Sequence, residues 1–285
     1  NQTDKQILEA LIQAWDFVQD RKSSAPKIQF NEIKAEHKGG KPVGGRIYVL
    51  VNDMPFLVDS IRQAVNRAGV SIRSVNNAVL QVERETKSKA NAGRLKFISV
   101  DKTPSQNGEA ICCINCGVIS GSQIPLLERE LEDTLKHVSA AVKDYLPICQ
   151  QAKHVKSALL KNAETLPVSE KELSESIEFI DWLLNNHFSF LGYEQYKIQH
   201  LKSGAMVKLQ TNSIFGISKF KSGLKERVKL SSLPKSTVEH ILKKQICSFA
   251  KSSNRSKVHR SVHLDYVLLK EFDSKGRVVT EHRFV

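Results

Sequence analysis

The sequence predicts an α+β fold: a split βαβ antiparallel sheet with helices on one face, followed by a second antiparallel-sheet α+β domain. Three observations predict it. Short apolar runs bounded by Gly, Pro, Asn and Ser mark strands. Apolar positions recurring every three to four residues mark helices between them. The order strand, helix, three strands, helix completes a first sheet before the Pro-interrupted segment NAETLPVSEKE.

Residues 1–25 read as an N-terminal helix. In TDKQILEALIQAWDFVQDR, Ile7, Leu8, Leu11, Trp15 and Val18 share one face, expected to dock on the sheet, and Ser23, Ser24 and Pro26 stop it. The first α+β domain is expected over 26–166. GGKPVGG reads as a Gly-rich loop, and Ile47 to Val51, apolar on both faces, as an interior strand. Past Pro55, Leu57, Ile61, Ala64 or Val65, and Ala68 form a helix stripe that Gly69 ends, with Asp53 expected as the cap and Pro55 in the first turn. VSIRSVNNAVLQVERE suits one long strand, and LKFISV and EAICCINCG two more. A long helix from Gln123 carries Leu127, Leu131, Leu135, Val138, Val142 and Tyr145 on one face, with its acids early and lysines late, as the helix dipole favours.

The second domain is expected over 167–285. Ser169 and Glu172 have capping-box spacing for a helix running to about Asn186. FSFLGYEQYKI reads as a strand with a hairpin turn at Lys202 to Gly204, and SVHLDYVLLKEF with RVVTEHRFV as a hairpin about Asp273 to Gly276. The chain begins without Met and ends on Phe284 and Val285 inside a strand pattern. It therefore reads as an excised piece, with the second domain truncated at its C-terminal end.

The 285 residues are 40% hydrophobic, enough for two ordinary cores. No apolar run approaches the ~18 residues of a membrane span, and no charged-then-apolar leader opens the chain. A soluble, cytoplasmic protein with no membrane contact is the expectation. Five cysteines, three at 112, 113 and 116, read as reduced thiols, with a redox or metal pair as the minority reading. The net charge of +13 is concentrated late: Lys219 to Arg283 holds sixteen Lys/Arg against six Asp/Glu, or +10. Such an excess attracts nucleic acid, a phosphorylated ligand or an acidic partner, or simply solvates a surface.

Chemistry-bearing motifs are sparse. The glycines of GGKPVGG precede a strand and open no helix, the reverse of a dinucleotide cradle. His259 and His263, if on a strand, lie about 13 Å apart, beyond a shared metal ion. No nucleophile elbow, metalloprotease motif or paired carboxylate setting is present, so neither a catalytic residue nor a metal ligand is assigned. Two stretches stand as candidate binding sites. The turn of Asn52, Asp53, Met54, Pro55, Phe56 and Leu57 is a candidate ligand site on top of its role as a cap. Arg255, Lys257, His259 and Arg260 form a candidate anion clamp, against the alternative of a basic loop entering a strand.

VNDMPFLVDSIRQAVNRAGVSI resembles the first ACT-like segment of the large NAD-dependent glutamate dehydrogenases, whose pattern runs close to NDDMPFLVDS followed by a helix, a Gly and a strand. LLNNHFSFLGYEQY resembles their HFTFLGYREY segment, and NRSKVHRSVHLDYVLLKEF their NSRSTVHRPAYLDYIGVKRF stretch. The resemblance implies an ACT-like first domain within the non-catalytic N-terminal region of an enzyme that oxidatively deaminates L-glutamate to 2-oxoglutarate and ammonia. NAD would bind in the parent's downstream catalytic domain and no cofactor in this chain. The implied partners are further copies of itself, downstream domains, and a small-molecule effector, with an amino acid as the leading class. Amino-acid-binding ACT domains generally carry Gly after the Pro of the turn. Here it is Phe56, whose side chain fills that space. The other readings are a stand-alone amino-acid-sensing module and, less favoured, a basic nucleic-acid-binding protein.

Overall fold

The computed structural model describes residues 4–34, 41–85, 93–99, 108–202, 204–221 and 226–285. Gly39 and Gly40 of GGKPVGG, Val100 of LKFISV and Ser203 of the expected hairpin turn lie outside them. The chain divides into two compact units: Asn1–Lys136 with Lys257–Arg260, and His137–Ser256 with Ser261–Val285. The division falls inside a helix, and NAETLPVSEKE lies within the second unit.

The first unit runs α1 (Asp4–Gln19), β1 (Asp20–Arg21), β2 (Lys27–Lys34), β3 (Pro42–Asn52), α2 (Leu57–Arg67), β4 (Ile72–Glu85), β5 (Gly93–Ser99), β6 (Gly108–Cys116) and the start of α3 (Ile124–Lys161). The sheet order is β1-β5-β4-β6-β3-β2 and every pairing is antiparallel. β3 and β4 both pair with β6, and α2 carries the chain between them, which is the split βαβ arrangement. Ile47 to Val51 are all buried, as their two-sided apolar pattern requires. Each such side chain is worth about 1.5–3 kcal/mol of burial.

Residues 27–34 (KIQFNEIK) alternate too weakly to be read as a strand, yet β2 pairs along its length with β3. GGKPVGG is likewise not all loop, since Gly44 and Gly45 lie inside β3. A Cβ on Gly44 would come within 2.9 Å of the Cys116 carbonyl, so the glycine permits a close approach to β6.

α1 is docked, but not on the expected face. It buries Phe17 and Val18, which pack with Tyr48, Leu50, Leu80 and Val82, while Ile7, Leu8, Leu11 and Trp15 remain 44–62% exposed. Two buried polar groups of β3 explain the rotation. Tyr48 Oη donates to the Ala10 carbonyl at 3.0 Å and Arg46 Nη1 to Gln13 Oε1 at 3.0 Å, so the helix presents acceptors instead of its large apolar residues.

The second unit contains the rest of α3, then α4 (Glu170–Trp182), β7 (Gly192–Leu201), β8 (Gly204–Leu209), β9 (Phe215–Gly216), β10 (Arg227–Lys229), α5 (Lys235–Leu242), β11 (Cys247–Arg255), β12 (His263–Phe272) and β13 (Val278–Phe284). The sheet order is β10-β8-β7-β13-β12-β11, with β9 on β7, again antiparallel. Ser169 caps α4 by accepting the Glu172 N–H at 3.1 Å, while the Glu172 carboxylate accepts from Ile246 N at 2.9 Å. Ile148, Val155 and Leu159 of α3 pack with Ile180 of α4 and with Tyr193, Leu269 and Phe284 of the sheet. Among the described residues no helix is long and apolar enough to cross a membrane.

Candidate functional site

At the junction of β3 with α2 the first unit departs from ordinary local geometry, with Phe56 at a positive φ. Asn52 ends β3, and its Oδ1 accepts from Arg21 Nη1 at 2.6 Å. Arg21 and Arg84 converge on one carboxylate. Glu109 Oε1 takes Arg21 Nη1 at 3.1 Å and Arg84 Nε at 2.8 Å, and Oε2 takes Arg84 Nη2 at 2.7 Å. Glu109 is fully buried and both arginines nearly so. Nothing in the sequence marks this cluster, because Glu109 stands 88 and 25 positions from its partners. Asn52 is thereby a structural anchor.

Asp53 does not cap α2. Its side chain is exposed, and its backbone N–H donates to the Gly108 carbonyl at 2.8 Å. The cap position is held by Phe56, with φ 70° and ψ 1° and no side-chain cap bond, and Pro55 lies in the turn before the helix. The expectations of an Asp53 cap and of Pro55 inside the first helical turn are both corrected. The reason is local: Phe56 has the angles of the third residue of a type II turn, with Pro55 favoured just before it, and that turn must close before the helix starts. The left-handed region costs a side-chain-bearing residue roughly 1–2 kcal/mol, so contacts must hold Phe56 there.

Those contacts come from the other candidate stretch. Lys257–Arg260 belong to the first unit. The His259 ring lies 5.5 Å from the Phe56 ring, centroid to centroid, and His259 has a positive φ of 63°. Ser60, fully buried, joins the two: its Oγ donates to the Phe56 carbonyl at 2.6 Å and accepts the His259 N–H at 2.8 Å. His259 Nδ1 lies 3.2 Å from Asp59. Lys257 Nζ lies 3.3 Å from Asp133 and 3.9 Å from Glu130, which also accepts from Arg67 Nε at 2.9 Å. Arg255, in the second unit, donates to the Ser261 carbonyl at 2.9 Å, and Arg260 is exposed. Lys257, His259 and Arg255 thus meet three different sets of acceptors, and His259 stands in a turn, not on a strand.

Beside the turn is a crevice of about 250 Å³ lined by Asp53, Met54, Phe56, Asp59, Asn77 and Cys112 over an apolar floor. Burial, and then Cys113, push the Cys112 thiol up to about 12, so it stays protonated near neutral pH and is no nucleophile. Two carboxylates flank the space, an arrangement that receives a cationic or neutral polar group better than a carboxylate. Among the described residues no cluster of three or more His, Cys, Asp or Glu is placed to hold a metal ion.

The second unit holds a line of hydrogen-bonding groups that no motif marks. Tyr193 Oη lies 2.7 Å from His282 Nδ1, and His282 Nε2 lies 3.4 Å from Glu271. The order resembles a proton relay, but Tyr193 and His282 are completely buried, and burial raises the phenol above its ordinary value. The Tyr193 hydroxyl thereby links β7 to β13 within the core.

Residues 1–131 match the family described as Glutamate dehydrogenase, ACT1 domain. The NAD-specific glutamate dehydrogenase of Halomonas elongata is 30% identical to the chain over 281 residues, which is 97% of this chain and 17% of that protein. The enzyme of the same description from Pseudomonas aeruginosa is 31% identical over 284 residues, 96% of this chain and 17% of its own length. The chain thus spans about one-sixth of the relatives it matches.

Proposed function

We propose, because this chain is related along nearly its whole length to NAD-specific glutamate dehydrogenases and carries their ACT1 domain at residues 1–131, that it is a regulatory and assembly region of such an enzyme and not its catalytic part. The whole enzyme would oxidise L-glutamate with NAD to 2-oxoglutarate and ammonia, with NAD bound elsewhere in the polypeptide. The observation that carries the reading is the ACT1 match falling on the split βαβ unit, whose strand-to-helix turn is held in a costly conformation by Ser60 and His259. Such strain persists only where surrounding contacts dictate it, and it is a frequent mark of ligand clamps and switches. Five free cysteines, four with thiols pushed up by burial and the fifth, Cys149, buried, fit a reducing, cytoplasmic setting.

Two measurements test this. The purified chain should form no NADH from glutamate and NAD. Turnover above the no-protein control that survives repurification would refute the non-catalytic assignment. Light scattering should show self-association of the chain, through copies of itself as the assembly role requires. A strict monomer at high concentration would move the assembly role to other parts of the enzyme.

A further inference from the structure

Between α1 and the edge of the first sheet is a pocket of about 280 Å³ at whose floor lies Arg46. Arg46 is only 3% exposed, and its hydrogen bonds go to neutral oxygens: Nε to Asn115 Oδ1 at 3.0 Å and Nη1 to Gln13 Oε1 at 3.0 Å. Among the described residues no carboxylate lies within ion-pair distance of it, in contrast to Arg21 and Arg84, which share Glu109. Acceptors are also scarce here. Gln13 Oε1 receives both Arg46 Nη1 and, at 3.1 Å, Asn31 Nδ2, while the Tyr48 hydroxyl is taken by the Ala10 carbonyl at 3.0 Å. A buried guanidinium without a counter-charge, in a donor-rich and acceptor-poor setting, calls for an anion.

The rim decides which anion. Lys5, Lys34 and Glu9 line it and are exposed. Glu32, two positions before Lys34 on β2 and therefore on the same side of the strand, also lines the pocket. Among the described lining residues three cations, Lys5, Lys34 and Arg46, therefore oppose two carboxylates, Glu9 and Glu32. We propose that this pocket is a binding site for a small dicarboxylate, one carboxylate on Arg46 and the other at Lys5 or Lys34. The site is separate from the Phe56 turn, whose crevice is flanked by carboxylates. It deepens the regulatory reading only by naming a ligand class, and binding is measured independently of whether it regulates.

The test is calorimetric titration of the purified chain with succinate, acetate and inorganic phosphate. Succinate is expected to bind saturably, at least about tenfold more tightly than acetate, since the second carboxylate gains its own cation. The double variant Lys5→Glu, Lys34→Glu, confined to exposed positions, should weaken succinate at least about tenfold with an unchanged melting temperature, and Glu9→Gln should tighten it. Arg46→Gln should abolish binding, and where that variant unfolds the rim variants decide alone. No saturable succinate binding, equal affinity in the double variant, or phosphate bound more tightly than succinate would each overturn the assignment. Absence of binding would leave the non-catalytic reading standing, because that rests on the NADH assay.

Discussion

Phe56 and His259 face one another with both backbones in the left-handed region, at φ 70° and 63° and with ring centroids 5.5 Å apart. Two side-chain-bearing residues in that region carry roughly 1–2 kcal/mol of strain each. Their mutual contact and the shared Ser60 hydroxyl offset it. Replacing Phe56 by Ala removes the ring and keeps the strain, whereas Gly removes both. Phe56→Gly is therefore expected to be more stable than Phe56→Ala by about 1 kcal/mol in urea unfolding. Equal stabilities would mean that the backbone at 56 relaxes out of the left-handed region once the ring is gone.

Ser60 is the link between the turn and the His259 loop, so its removal separates them. Ser60→Ala leaves the part-buried His259 N–H without its acceptor at 2.8 Å, while the Phe56 carbonyl keeps the Ser60 N–H at 3.2 Å. The loss expected is about 1 kcal/mol, the low end of the cost of an unsatisfied buried donor, because this one is only partly buried. Hydrogen exchange checks the mechanism. The His259 amide should exchange faster in the variant, with protection in the β3–β6 ladder little changed.

Much of the fold was legible because it rests on periodicity. β3, α2 and the Leu127–Val138 stripe of α3 bury the residues their spacing predicts, β4 and β6 form where their patterns were read as strands, and the β12–β13 hairpin turns at Asp273 to Gly276. What was missed rests on pairing across long distances. β2 has a weak pattern of its own and is a strand because β3 lies beside it. The α1 face was misread because buried Tyr48 and Arg46, more than thirty positions away, need its backbone and its glutamine. The candidate site was legible as two stretches, but no local rule brings His259 to Ser60 across 199 positions. The cap rule failed at Asp53 because a Pro followed by a left-handed residue delays the helix start.

The Arg21–Glu109–Arg84 cluster gives a sharper stability test. Glu109→Gln leaves two buried guanidiniums with no counter-charge, and breaking a buried pair by removing one partner costs about 3–5 kcal/mol. The control is Glu83→Gln. Glu83 pairs with Lys96 at 3.0 Å in a solvent-exposed position, and its loss is expected to stay within about 1 kcal/mol. Similar losses in both variants would mean that water reaches the Glu109 cluster.

The last prediction concerns acid. In the β12–β13 turn, Asp273 accepts the backbone N–H groups of Arg277 and Lys275, and its other oxygen pairs with the Arg277 guanidinium. The Arg277 backbone bond first, and then the Arg277 side chain, lower its carboxyl from 3.8 to about 2. Because the folded value lies below the unfolded one, the folded state binds its proton less readily. The contribution to stability is complete above about pH 4 and is lost as pH falls toward 2. Asp273→Asn should consequently melt below the wild type at neutral pH, with the gap closing through that window. Raising the salt concentration should shrink the gap only partly, since screening weakens the exposed Arg277 pair while the backbone bonds remain. A gap in melting temperature that is constant from neutral pH down to 2 would mean that the carboxylate charge contributes nothing to this turn.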